Sequence, residues 1–166
     1  MEVWIDADAA PRDAKEIVYK AARRLGFPVC LVANAPQRLP TGIAAIRMVV
    51  VSVGIDEADH YMVANAVPGD LVITADIPLA ARLVERSVLV LDPRGTEYSP
   101  DSMGSRLAGR NLMDSLRGEG LVGGGPPPYG PKERHRFAAA FDQTITRMLK
   151  ESRRATSNPG DAPAGN

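Results

Sequence analysis

The stretch "VWIDADAAP", residues 3–11, passes from apolar to acidic at a single step. Val3, Trp4 and Ile5 form a β-prone run without polar alternation, as expected of a strand buried on both faces. The run stops at Asp6 and Asp8, and two small residues and Pro11 follow. Beyond Pro11 the period changes. Ile17, Val18, Ala21, Ala22 and Leu25 share one helical face. Proline suits the first position of a helix, so a helix is predicted over 11–25. A strand that ends in acid and turns at once into a helix is the start of a β–α unit.

The same alternation continues along the chain. "VCLVA" (29–33), "IRMVVVSV" (46–53), "LVITA" (71–75) and "VLVLD" (88–92) read as further strands. Helices are predicted over 56–66, 78–86, 102–118 and 131–152, while "GGGPPPYGP" (123–131) suits only a stiff linker or a lid. Apolar strands separated by helices imply an α/β fold of three layers, with a mostly parallel sheet and helices on both faces. One domain is expected over residues 1–152, with a disordered tail from Arg153 to the end.

Bulk composition narrows the function. The chain has 166 residues, 45% of them hydrophobic, which is enough for a real core. Aromatics make up only 5%, which disfavours an aromatic platform for stacked bases. The single cysteine, Cys30, lies in an apolar run and excludes both an internal disulfide and a cysteine zinc site. His60 and His135 each lack a second ligand at helical spacing and read as surface or half-buried residues. No stretch is long and apolar enough to span a bilayer, and no leader precedes the first strand, so a cytoplasmic protein without a membrane partner is expected. Charge is uneven. Residues 1–93 carry 9 Lys and Arg against 12 Asp and Glu, and residues 94–154 carry 11 against 7. That pattern suits a cation site beside an anion-binding flank.

Ligands of parallel sheets bind beyond the carboxyl ends of the strands, and acid collects there. The first strand ends at Asp6 and Asp8, the fourth at Asp76, the fifth at Asp92, and Asp56, Glu57 and Asp59 follow the third. Asp56 is placed to cap the next helix, with Asp59 either its box partner or a side chain turned to the sheet edge. If Pro11 and Pro78 open their helices, Ala10 and Ile77 take the caps, and Asp8 and Asp76 need another reason. A carboxylate at the buried position of Asp6 is costly unless paired, and no basic residue occurs before Arg12. A hard cation, Mg²⁺ or Mn²⁺, relieves such mutual repulsion with oxygen ligands. Arg12 and Lys15 on the first helix, Asn34 after the second strand and Arg94 in "LDPRG" could meet a substrate phosphate. "GGGPPP" carries no lysine and is not a phosphate loop.

"WIDADAAPRDAKEIVYKAA", "LVAN", "GIDEADHYMVANAVPGDLVITADIPLAARLVER", "LDPRGTEY", "RLAGRNLMDSLR" and "GGGPP" together resemble the bacterial YaiI/YqxD family over about residues 2–150. The family carries a cysteine where this chain has Ala10. It is grouped with the PIN-like metal-dependent nucleases. That resemblance implies a catalytic, metal-holding set of Asp6, Asp8, Asp59 and Asp76, with Thr74 as the hydroxyl neighbour in "T-x-D". The mid-chain glutamate of PIN-like domains has no match here. The implied activity is water-mediated, Mg²⁺- or Mn²⁺-dependent hydrolysis of RNA, or less readily DNA. Two alternatives stay open. "WIDADA" also resembles the aspartate-x-aspartate start of haloacid-dehalogenase phosphatases, although their later acidic pair is missing. A non-catalytic nucleic-acid-binding protein on a PIN-like fold is the other.

Overall fold

Five apolar segments pair side by side in the computed structural model, which describes residues 1–43, 45–54, 56–125 and 127–157. They are β1 (Val3–Asp6), β2 (Val29–Ala33), β3 (Ile46–Val50), β4 (Leu71–Ile73) and β5 (Leu89–Leu91), all mutually parallel. The sheet has the order β3-β2-β1-β4-β5-β6. The last strand, β6 (Glu97–Tyr98), pairs antiparallel with β5 and has too few residues to carry a sequence signal. The helices are α1 (Arg12–Leu25), α2 (Glu57–Asn65), α3 (Ile77–Glu85), α4 (Pro100–Gly118) and α5 (Pro131–Ser157). The three-layer α/β expectation therefore holds.

The pleat sorts the core into two halves, because alternate side chains of a strand face opposite ways. On one face Val3, Ile5, Val29 and Leu31 pack with Ala14 and Val18 of α1 and with Phe137, Phe141 and Ile145 of α5. On the other face Trp4, Cys30, Val32, Val72 and Val90 meet Met62 of α2, Leu79 and Leu83 of α3, and Met103 of α4. Cys30 is a fully buried core residue, as its apolar setting suggests.

Several boundaries differ from the sequence expectation. Strands three and four end at Val50 and Ile73 rather than 53 and 75. Helix α4 starts two residues early because Ser99 and Ser102 form a capping box around Pro100. Helix α5 continues past 152 to Ser157, so the expected tail begins inside a helix, and residues 158–166 lie outside the described residues. Pro11 is not the first helical residue. It occupies the cap of α1 with an extended ψ of 146° and offers no side-chain cap. The "GGGPPPYGP" segment is irregular wherever described up to Gly130, and its last proline, Pro131, opens α5. It is pinned to the β5–β6 turn, where the Tyr129 hydroxyl donates to Pro93 O at 2.9 Å. Gly95 in that turn has φ +88°, and a Cβ there would meet the Arg136 backbone at 2.7 Å, so α5 packs against the turn only because the residue is glycine.

The amino edge of the sheet is locked by a residue that composition and periodicity did not single out. Asp70 is only 4% exposed. Its carboxylate accepts from Glu2 N at 2.7 Å, Trp4 Nε1 at 3.1 Å and Val67 N at 3.2 Å, and lies 3.9 Å from the chain's first amino group. This joins the start of β1 to the start of β4. Asp70→Ala strands those donors, and urea denaturation should show a loss of about 2–4 kcal/mol.

Candidate functional site

Chain direction decides where a ligand can enter. From the carboxyl end of β1 the chain passes through α1 to β2 on one side, and from β4 it passes through α3 to β5 on the other. The adjacent strands β1 and β4 are thus the topological switch point, where the connecting segments part and leave a crevice. Asp6 closes β1, and Thr74 and Asp76 follow β4.

A hydroxyl joins the two strand ends. Thr74 Oγ1 donates to Asp6 Oδ2 at 3.0 Å and accepts from Asp76 N at 3.0 Å. Thr74 is fully buried and Asp6 is 7% exposed. Burial is the main force pushing the Asp6 carboxyl above its ordinary range, and the charges of Asp76 and Asp8 add to it. The bonds from Thr74 and the Ala9 backbone oppose the rise.

Asp76 corrects the sequence argument. It does not miss the cap. It is the N-cap of α3, and its Oδ1 accepts from Leu79 N at 2.8 Å. Ile77 is the first helical residue and Pro78 the second. The second position also carries an orphan N–H, so proline is tolerated there as well. Asp56 does stand at the cap of α2, but in the left-handed region (φ 60°), and its side chain makes no cap bond. The box with Asp59 is therefore absent. Asp59 is half-buried in the first turn of α2, and its pKa is pushed up to about 6, by burial first and then by the charges of Asp76, Asp6 and Asp56, with Arg82 opposing. Three carboxylates from three separate elements thus share one field.

Asp8 sits in the turn closed by Ala10 N donating to Asp6 O at 2.9 Å. Its two oxygens are engaged on the β2 side, accepting from Asn34 N at 2.7 Å and Gln37 Nε2 at 2.8 Å. Asn34 thus serves Asp8 through its backbone. Lys15 Nζ donates to Ala7 O at 2.9 Å and Gln37 Oε1 at 3.0 Å, and Arg12 pairs with Glu16 at 3.0 Å on an exposed side chain. Arg94 lies apart from this group. It donates to Pro127 O, stands 4.0 Å from Glu133 Oε1 and 5.9 Å from the Tyr129 ring centroid. Asp92 accepts from Arg94 N at 2.5 Å and from the Tyr98 hydroxyl at 3.1 Å. His60 and His135 are exposed.

Two cations near the crevice escaped the sequence reading. Arg82 opposes the charge on Asp59 from α3. Arg106 of α4 stacks over Tyr98 at 4.9 Å, and its Nε is buried without a hydrogen-bond partner. Helical spacing from Asp76 could have flagged Arg82, whereas nothing local flags Arg106.

Sheet and crevice together define a doubly wound α/β protein with an acidic switch point. The chain belongs to the YaiI/YqxD family: the model described as "Uncharacterized BCR, YaiI/YqxD family" matches residues 4–147. A UPF0178 protein of Pseudomonas fluorescens (strain Pf0-1) is 52% identical over 152 residues, covering 92% of this chain and 100% of the relative. One from Trichlorobacter lovleyi is 52% identical over 155 residues, covering 93% and 99%. One from Pseudomonas aeruginosa (strain PAO1) is 48% identical over 159 residues, covering 96% and 99%. No solved structure matches the chain significantly. No helix among the described residues is long and apolar enough to cross a membrane.

The raised pKa of Asp59 sets a sign for stability against pH. In the metal-free protein the folded state keeps this proton up to about pH 6, while the unfolded chain loses it near about pH 4. Between those values the folded state binds more protons, so stability falls as pH rises, and it stays lower above the window. Asp59→Asn should match the parent near pH 4. At pH 7 it should melt higher, by on the order of 2–4 °C, the effect of about 1 kcal/mol once partial exposure is discounted. Thermal melts in EDTA at the two pH values check this.

Proposed function

We propose that this protein is a divalent-metal-dependent phosphodiesterase acting on RNA, with Asp6, Asp59 and Asp76 holding Mg²⁺ or Mn²⁺ between β1 and β4. One observation carries the reading. Carboxylates from β1, α2 and the β4–α3 turn crowd the switch point, and their mutual repulsion is opposed there by Arg82 alone among the influences on Asp59. An acidic crevice with one counter-cation for three carboxylates favours a bound ion. The donor set is all oxygen, which suits a hard ion. Among the described residues no three His, Cys, Asp or Glu side chains converge closely enough to cage an ion directly. The three carboxylates would therefore hold the ion partly through its own waters, a mode open to Mg²⁺.

When bound, such an ion supplies a water of lowered pKa and charge stabilisation at the scissile phosphate. The chain's own residues prepare the crevice. Thr74 fixes the orientation of Asp6 through Oδ2. The cap bond commits Oδ1 of Asp76 to Leu79 and leaves Oδ2 for the crevice. Asp8 acts through its charge on Asp6, since both its oxygens already accept bonds. The same engagement disfavours phosphatase chemistry of the haloacid-dehalogenase type, which needs the second aspartate free beside a nucleophilic first. The PIN-like resemblance, with "ITAD" as its T-x-D turn, supports the nuclease reading.

Asp76→Asn is a clean test because Asn caps a helix as well as Asp. Removing one charge from the cluster should raise the melting temperature in EDTA. It should abolish most of the stabilisation given by millimolar Mn²⁺, together with cleavage of a labelled single-stranded RNA. A variant with parental stability in EDTA and a parental Mn²⁺ response would remove Asp76 from the site. A parent that binds RNA but gains nothing from Mn²⁺ and never cleaves would instead be a non-catalytic binding protein.

A further inference from the structure

Beside the crevice, α1 and the loop after β2 enclose a groove of about 670 Å³. Its helical wall is Arg12, Lys15, Glu16 and Tyr19, and a smaller hollow that shares Glu16, Tyr19 and Pro40 extends the same stripe to Lys20 and Arg23, the six spaced by three, one, three, one and three residues. That spacing keeps all six on one face over about 16 Å of helix. Arg38 stands on the opposite wall. Groove and hollow together bring five cations against one carboxylate, in a chain whose net charge is zero.

The groove reaches the turn that follows β1. Lys15 and Gln37 line it, and both reach back to the Ala7 carbonyl, while Gln37 also holds Asp8. Some cations are spent within the fold: Arg12 pairs with Glu16, and Arg23 donates to Thr41 O at 3.4 Å. Lys20 and Arg38 are exposed and make no ion pair or hydrogen bond among the described residues. Tyr19 is half-buried, with its hydroxyl pKa pushed up to about 12 by burial, so it stays a neutral ring in the wall.

We infer that this groove is the track of a single-stranded RNA whose backbone phosphates run along α1 and lead into the carboxylate crevice. The inference rests on the proposed function for the direction of the strand but not for its binding. A run of like charge in a concave channel neutralises phosphates and releases their counter-ions. Tyr19 offers the channel an aromatic face for one unstacked base, which a single strand presents and a duplex does not. The low aromatic content then has a consequence: binding comes from charge and is strongly salt-dependent.

The test is fluorescence anisotropy with a labelled oligouridylate in EDTA over a range of salt, comparing the parent with Lys20→Ala/Arg38→Ala. Both replaced side chains are exposed, so the melting temperature controls for folding. With four net positive charges, the parent's slope of log K against log salt should lie near about −2.8, and the variant should flatten it by about 1.4. Its Kd at low salt should rise on the order of tenfold. A variant that binds like the parent, a parent that does not bind, or a clear preference for duplex RNA overturns the groove assignment. Mn²⁺ stabilisation is read on the same samples. Groove failure with an intact Mn²⁺ response leaves the carboxylate site standing, and salt-dependent binding without a Mn²⁺ response leaves the groove standing.

Discussion

The hydrogen bond from Thr74 Oγ1 to Asp6 Oδ2 is the constraint around which the crevice is arranged. It ties the carboxyl ends of β1 and β4 at the place where their following helices diverge to opposite faces. A buried carboxylate whose donors are a hydroxyl and a backbone N–H is under-solvated, so Asp6 is held at a cost. The sheet absorbs that cost because β1 is central and buried on both sides. At its other end Asp70 makes a counterpart bond set between the same two strands. The two acids thus clamp β1 to β4 at both ends. One accepts from three N–H donors, whereas the other accepts from a hydroxyl and a backbone group while burial raises its pKa.

The geometry also divides labour among the acids. Asp76 anchors α3 and faces the cluster at once, so its position is set by the helix rather than by a flexible loop. Asp59 projects from the first turn of α2 with no capping duty. Asp8 is committed to the loop that also forms the groove wall, through Gln37. A shift in that loop would therefore be felt at Asp6 through charge. Crevice and groove are two parts of one edge, acidic at the switch point and basic along α1.

Much of the edge was legible before any coordinates. Apolar runs without alternation required a parallel sheet covered on both faces, and the rule for ligand position then pointed to Asp6 and Asp76. The error at Asp76 arose from the assumption that proline must stand first in a helix. Proline is nearly as well placed second, and that one-residue shift turned a supposed orphan into a cap. Asp59 could not be resolved from spacing, because a box partner and a crevice ligand occupy the same position in a helix. The unusual φ of Asp56 broke the box, and no sequence pattern announces it.

The sequence by itself determined the layer architecture, the strand direction and the presence of acid at the carboxyl edge, because these depend on periodicity and residue type over short windows. Tertiary structure alone decided which acids are hydrogen-bonded by several N–H donors and which crowd one another. Asp70 and Trp4 are 66 residues apart, as far as sequence distance goes, and Thr74 and Asp6 are 68 apart. It also made the groove, since Arg38 faces the α1 stripe only after β2 has paired with β1. Hydrogen bonds and fields act through space over a few ångströms. The positions that share them are set by the pairing of whole strands, and no local pattern records it.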